Sequence, residues 1–384
     1  MKKYFLLYLF TFPLGMIHAR GGQKGHILQI VFTSDLHYGY YRPAFAGADS
    51  VSGYIVNAAM IEKMNELPSL KLPDDGGVAA KRRIGYVDYV AITGDIANRQ
   101  QIPLQSDAIS WMQFKHDYLG MLRTKDHRGL KTTLLLTPGN HDASNAIGYY
   151  KPMQPFTDAT SMAGIYNLMM LPAKPKSASD FDYNKDKINY SRDISGIHFM
   201  FVQLWPDSVN RVWMEQDLKN VNKATPFIIF THVPPAGDVK HFSNPFYPHT
   251  INATDKFENL LPETLSDSIT TKKDKLQDIE EQRGFVAFLK RHPNIKAYFH
   301  GHENYTEFYT YKGPDEDVAL PVFRVDSPMK GESSAKDEKQ LSFELISINT
   351  LNMNLTVREY FWNKDTSNTS DQSVWGKRKT ISLR

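Results

Sequence analysis

The chain has 384 residues, 41 % of them hydrophobic and 12 % aromatic, enough for one large α/β domain with a real core. A formal charge of +3 is too balanced to make nucleic acid a default partner. The absence of cysteine excludes disulfides, thiolate metal sites and cysteine nucleophiles.

Lys2 and Lys3 precede an apolar stretch from Tyr4 to Ile17, and His18-Ala19-Arg20 follows. This is the pattern of a secretory signal peptide cut after Ala19. The apolar run is shorter than the roughly 20 residues that span a bilayer, and Pro13 and Gly15 interrupt it. The expectation is an exported protein, periplasmic or secreted, with no stable membrane span once residues 1–19 are removed. Loss of Lys2 and Lys3, with no acid in that segment, takes the charge from +3 to +1.

A continuous apolar run over Ile27–Ser34 predicts a buried strand ending at Asp35. A helix follows over Tyr54–Leu67, then a polar loop with Pro68, Pro73 and Asp74-Asp75-Gly76-Gly77. Its basic run Lys81-Arg82-Arg83 reads as a solvated edge. A second strand, Val87–Thr93, ends at Gly94-Asp95, and Asp107 is placed to cap a helix across Ala108–Leu122. The third strand, Thr132–Thr137, runs into Pro138-Gly139-Asn140. This alternation argues for an α/β sheet with ligands at the carboxyl ends of its strands.

Asp142 to about Asp186 reads as a covering loop. Ile188–Ile194 and Gly196–Leu204 read as paired strands joined at Ser195-Gly196. Arg211–Leu218 is a predicted helix, Pro226–Phe230 a strand ending at Thr231-His232, and 237–272 a second long loop. A helix over Lys275–Arg291 leads into the strand Ile295–Phe299 and Gly301-His302. Four β-rich segments follow, at Tyr305–Tyr311, Val322–Val325, Phe343–Ile348 and Leu355–Phe361. With no repeat and no linker, the expectation is one domain over 20–363 and a loose polar tail over 364–384.

The chemistry sits in five short clusters in fixed order: Asp35-Leu36-His37, Gly94-Asp95, Gly139-Asn140-His141-Asp142, Thr231-His232 and Gly301-His302. In an extended segment residues i and i+2 point the same way, so Asp35 and His37 are expected to reach one ion. Asp95 has two oxygens with which to bridge two ions. Asn140 offers a neutral oxygen, and His232 and His302 offer imidazole nitrogens. The mixed oxygen and nitrogen set suits Zn, Mn or Fe.

In this order the motifs resemble those of the calcineurin-like metallophosphoesterase superfamily, over about residues 27 to 304. The family pattern Asp-x-His, Gly-Asp, Gly-Asn-His-Asp/Glu, His and Gly-His-x-His is matched by Asp35-Leu-His37, Gly94-Asp95, Gly139-Asn140-His141-Asp142, His232 and Gly301-His302-Glu303-Asn304. The resemblance implies an αββα sandwich of two mixed β-sheets flanked by helices. It implies two metal ions, one held by Asp35, His37 and Asp95, the other by Asp95, Asn140, His232 and His302. The implied reaction is hydrolysis of a phosphomonoester or phosphodiester by metal-activated water. The substrate would be a small molecule, a lipid or a protein. His141 takes the family's place for the group that assists the leaving oxygen, and Asp142 either orients His141 and the Asn140 loop or caps a turn.

Three positions bear on how far the resemblance reaches. Arg99 stands where the Ser/Thr phosphatase branch carries a phosphate-contacting arginine, but Asn98 replaces that branch's aspartate. Asn304 replaces the second histidine of Gly-His-x-His, which completes the first ion's ligands. Three outcomes are open there: the Asn304 amide oxygen ligates directly, water fills the gap with Asn304 behind it, or the first site is weak and the enzyme partly mononuclear. The tyrosines Tyr38, Tyr40 and Tyr41 are either loop anchors or a wall of the cleft. Rival readings are a nuclease, disfavoured by charge, and a non-catalytic phospho-ligand-binding protein on the same fold.

Overall fold

The computed structural model describes residues 25–98, 105–143, 158–183, 185–237, 276–364 and 372–384. Residues 1–19, expected to be a signal peptide, Arg99, and all but the first residue of the loop expected over 237–272 lie outside them.

The first apolar run forms β1 (Ile27–Thr33), and a hairpin of β2 (Tyr41–Phe45) and β3 (Ala48–Ser52) follows it. Next come α1 (Gly53–Glu66), β4 (Tyr89–Ile92), α2 (Asp107–Phe114), β5 (Thr133–Leu136), the short α3 (Asn140–Ala143) and α4 (Thr160–Met170). The second half contributes β6 (Tyr190–Ile194), β7 (Ile197–Phe201), α5 (Ser208–Leu218), β8 (Phe227–Phe230), α6 (Leu276–Arg291) and β9 (Ile295–His300). It closes with β10 (Glu307–Tyr311), β11 (Leu320–Arg324), β12 (Ser342–Asn349), β13 (Asn354–Phe361) and β14 (Trp375–Ser382).

Two six-stranded mixed sheets result, ordered β14-β13-β12-β1-β4-β5 and β10-β11-β9-β8-β7-β6. They pack face to face through aromatic side chains. Phe32 meets Phe230 and Phe299 edge-on at 5.5 and 5.4 Å, and Phe230 stacks on Phe299 at 4.6 Å. The outer face of the second sheet is closed by Met214 and Leu218 of α5 and by Phe285, Val286, Phe288 and Leu289 of α6. Val56, Met60 and Met64 of α1 and Trp111 and Phe114 of α2 belong to the larger core built on the first sheet. The arrangement is helix, sheet, sheet, helix, as the motifs imply. Among the described residues no helix is long and apolar enough to cross a membrane.

Several local expectations are corrected. The helix at 107–122 is capped by Ser106, whose Oγ accepts the Ile109 N–H at 3.3 Å, and it becomes a π-helix over Lys115–Met121. Asp107 instead lies in the first turn and ties α4 down by accepting the Ser161 N–H at 2.7 Å. The covering segment after Asp142 contains α4. The end of the chain is not loose, because β14 pairs antiparallel with β13. The ammonium groups of its Lys377 and Lys379 bond the carbonyls of Thr306, just before β10, and Tyr309 in β10. Trp375 and Ile381 pack on the core, and the residues between them are mostly polar and exposed, so the strand reads as a polar tail.

Candidate metal centre

All five clusters leave the carboxyl ends of parallel strands. Asp35-Leu36-His37, Gly94-Asp95 and Gly139–Asp142 follow β1, β4 and β5 of one sheet, and Thr231-His232 and Gly301-His302 follow β8 and β9 of the other. The two sheets end at the same edge, so the clusters converge. His37 Nε2 lies 3.8 Å from Asp35 Oδ1 and 3.8 Å from Asp95 Oδ2. His232 Nε2 lies 3.5 Å from Asp95 Oδ1, 2.9 Å from Asn140 Oδ1 and 3.2 Å from His302 Nδ1. His141 Nε2 is 4.0 Å from Asp95 Oδ2.

Among the described residues, two sets of ligand atoms fall within 4.8 Å of one another: His37, Asp95 and His141, and Asp35, Asp95 and His232. Asp95 belongs to both. His141, expected to stand apart from the ligands, therefore lies at ligand distance from the His37 side of Asp95.

The route to this geometry differs from strand alternation. β1 ends at Thr33, and Asp35 and His37 adopt left-handed φ values of 56° and 46°. Asp95, His302 and Asn304 do the same, at 49°, 71° and 57°. Such conformations cost a non-glycine residue about 1–3 kcal/mol and persist where surrounding contacts fix them. Here Asp35 N–H donates to the Gly94 carbonyl and His37 N–H to the Asp95 carbonyl, both at 2.9 Å. Close approach demands glycine at two neighbouring positions. A Cβ on Gly139 would collide with Asp95 Oδ1, and one on Gly301 with Asp35 Oδ2.

Fixed hydrogen bonds aim the side chains. His232 Nδ1 donates to the Thr93 carbonyl at 2.7 Å, which turns Nε2 toward Asp95. The His302 N–H donates to Asp35 Oδ2 at 2.8 Å, and the His141 N–H to Asp95 Oδ1 at 2.7 Å. Asp142 is fully buried. Its Oδ1 accepts the Ala97 N–H at 3.0 Å, and its Oδ2 accepts those of Ile96 and Gly139 at 3.2 and 2.9 Å. It thereby joins the Asp95 loop to the Asn140 loop.

The electrostatics favour a cation. Asp35, Asp95 and His232 are 0–2 % exposed, so charge there is scarcely solvated. Burial raises the Asp35 carboxyl, while at Asp95 the imidazoles of His232, His141 and His37 outweigh burial and hold it well below the usual carboxylate range. Burial works against a charged His232, yet the Asp95 and Asp35 carboxylates raise it to about 9. Burial, helped by nearby Lys330, keeps His37 well below its usual value and neutral.

Other positions resolve individually. Asn304 Oδ1 is buried without a hydrogen-bond partner, while its Nδ2 donates to the His302 carbonyl at 3.2 Å. Asp35 Oδ1 likewise has no hydrogen-bond partner. Tyr38 is an anchor, fully buried with its hydroxyl on Asp117 Oδ2 at 2.7 Å. The Tyr40 ring stands 6.3 Å from that of His37, and Tyr41 opens β2 with 44 % exposure. His300 is structural, bonded to the Gly301 carbonyl and the Tyr309 hydroxyl at 2.9 and 3.0 Å. Ser327, whose Oγ donates to the Asp35 carbonyl at 2.8 Å, sits in no recognisable motif and was not foreseen.

A family model for calcineurin-like phosphoesterases matches residues 28–315. A search of curated proteins gives no match. Among solved structures, similarity extends to a putative 5'-nucleotidase from Staphylococcus aureus at 10 % identity and a TM-score of 0.40, covering 91 % of this chain and 57 % of that one. It also extends to Zn-complexed Vps29 from Entamoeba histolytica (10 % identity, TM-score 0.30, 93 % and 100 % coverage). YfkN from Bacillus subtilis, a calcineurin-like phosphoesterase, gives 9 % identity, a TM-score of 0.30, and 94 % and 91 % coverage. These scores are too low to carry argument, and the family model, matching three quarters of the chain, decides the matter: the chain belongs to the calcineurin-like phosphoesterases.

Proposed function

We propose that the protein is an exported phosphoesterase whose centre holds two metal ions, bridged by Asp95, and hydrolyses phosphomonoesters or phosphodiesters. The observation that carries this reading is the convergence, at one shared sheet edge, of Asp35, His37, Asp95, Asn140, His232 and His302 around a buried carboxylate. The donor set fits Mn, Zn or Fe: two carboxylates, two neutral amide oxygens counting Asn304, and imidazoles whose Nε2 or Nδ1 atoms face one another. Asp35 Oδ1 and Asn304 Oδ1 are buried acceptors awaiting a donor or an ion. Export rests on the Lys2-Lys3, apolar and Ala19 pattern at the N-terminus.

Bound ions would supply Lewis acidity to the phosphoryl oxygens and to attacking water. Asp35, His37 and Asp95, with Asn304, would hold the ion on one side. Asp95, Asn140, His232 and His302 would hold the other. His141 keeps an exposed edge, 16 % at its side chain, and stands where it can hold a proton for the leaving oxygen. Asp142 keeps its loop fixed. Arg99, outside the described residues, is the candidate for contact with a substrate phosphate.

The test is elemental analysis of the purified protein with turnover of aryl phosphate mono- and diesters in Mn, Zn and Fe, for wild type and for Asn140→Ala and His141→Ala. Loss of about 100-fold or more in each variant is expected. Undiminished turnover in both would sink the mechanism. Metal binding with no turnover of any ester would favour the phospho-ligand-binding alternative.

A further inference from the structure

The segment that carries His302 and Asn304 is gripped by one buried guanidinium. Arg324, the last residue of β11, is 3 % exposed. Its register partners are His300 on β9 and Glu307 on β10, so it lies across the base of the Gly301–Thr306 loop. Its Nε donates to the Tyr305 carbonyl at 3.2 Å. One terminal nitrogen bonds the Glu303 carboxylate and the other the Glu307 carboxylate. The guanidinium carbon lies 3.5 Å from the Tyr305 ring centroid, in cation–π contact. Burial lowers Arg324 to about 10, so it remains a cation at neutral pH.

Taking a guanidinium out of water is costly unless every donor finds an acceptor. Here the acceptors come from the ligand loop and the strand that follows it. They bracket one residue: Arg324 takes the side chain of Glu303 and the main chain of Tyr305, the neighbours of Asn304 on either side. His302 depends less on this clamp, since its own N–H is held by Asp35 Oδ2 at 2.8 Å and its Nδ1 lies 3.2 Å from His232 Nε2. Asn304 has a left-handed φ of 57°, its carbonyl accepts the Glu332 N–H at 2.8 Å, and its Oδ1 is buried without a partner. An amide oxygen is a weaker ligand than an imidazole, so it needs a more rigid mount.

We propose that Arg324 is a positioning residue that fixes Asn304 as a ligand of the ion nearest Asp35 and His37. The inference rests on the two-ion reading above and adds a residue that lies outside every ligand motif. It predicts that the two ions depend differently on Arg324.

Metal-stripped full-length protein is titrated with Mn by calorimetry, and the electron paramagnetic resonance spectrum is recorded at each stoichiometry. Arg324→Gln should weaken one of two binding events about tenfold or more, leave the other within about threefold, and replace the spin-coupled pair signal with that of isolated Mn. Arg324→Lys should recover part of the loss. Asn304→Ala should reproduce it, and adding Arg324→Gln to Asn304→Ala should change little further, because the two act through one ligand. Should Arg324→Gln not fold, Glu303→Gln, altered at a side chain 40 % exposed, carries the test with a loss of about threefold or more in the same event. Equal weakening of both events, wild-type binding in the folded variants, or additive losses in the double variant would overturn the proposal. Failure of wild type to bind two Mn ions would instead overturn the two-ion reading itself.

Discussion

Asp207, outside the set of converging site residues, offers a quantitative test of the packing. It caps α5: its Oδ1 accepts the Asn210 N–H at 2.8 Å, while its Oδ2 is buried with no hydrogen-bond partner and the residue is 1 % exposed. Burial raises its carboxyl from 3.8 to about 8, with Glu281 adding to the rise and the Asn210 N–H, Arg211 and Lys187 opposing it. The folded protein therefore binds a proton that the unfolded chain releases. The stability this confers is full below pH 3.8 and is lost as pH rises to about 8. At pH 7 the gap from 3.8 is a little over three units, each worth about 1.4 kcal/mol, giving a cost of about 4 kcal/mol relative to acid. Asp207→Asn keeps the cap acceptor and presents an amide N–H where the protonated acid has its O–H. Urea denaturation at pH 4, 5.5, 7 and 8 should show the variant gaining on wild type by several kcal/mol across this range, with the gain rising from acid to neutral. Parallel pH profiles would refute the reasoning. Asp207→Ala removes the cap as well and should recover about 1 kcal/mol less at every pH.

Three further outcomes follow from the centre. Gly301→Ala drives a methyl group into Asp35 Oδ2 and Ser34 Oγ, so it should lower stability by about 1–3 kcal/mol in thermal melts and weaken metal binding; unchanged values would mean that the loop yields freely. Asn304→His should tighten the weaker of two binding events in calorimetry by about tenfold, and unchanged affinity would count against a ligand role for position 304. Chelation should destabilise the fold by about 3 kcal/mol relative to protein in free metal at a hundred times Kd, reversed by Mn, and identical melts with and without chelator would speak against ions on the buried carboxylates.

What the sequence made legible was local and repetitive. Asp35, Asp95, Asn140, His232 and His302 each follow an apolar run, and such runs at the ends of parallel strands deliver side chains to one edge. The β2–β3 hairpin escaped because Tyr41–Phe45 holds Pro43 and is mostly exposed, giving no apolar alternation. β14 escaped because Trp375–Ser382 is mostly polar and exposed, with no apolar alternation to mark it. Boundaries such as Ser106 in place of Asp107 as a cap depend on one hydrogen bond that composition does not encode.

The residues that converge were legible in the sequence, and the backbone that brings them together was not. Alternation in an extended strand seemed to place Asp35 beside His37, but left-handed turns at both residues do so, locked by the Gly94 and Asp95 carbonyls. That lock joins the ligand loops to one another. Asp35 is held by Gly94, Ser327 and the His302 N–H, and Asp95 by its contacts with His141 and the Asp142-bound turn. On the proposed two-ion reading, a substitution in one of these loops reaches the side chains of the next, and the loss should be shared between the ions. Asn304 is tied to this lattice by one side-chain bond, Nδ2 to the His302 carbonyl, with Oδ1 unpartnered and its neighbours held from outside by Arg324. The chain's one departure from the family's histidines falls where the lattice is thinnest, so position 304 is where ion affinity can change without unfolding the centre.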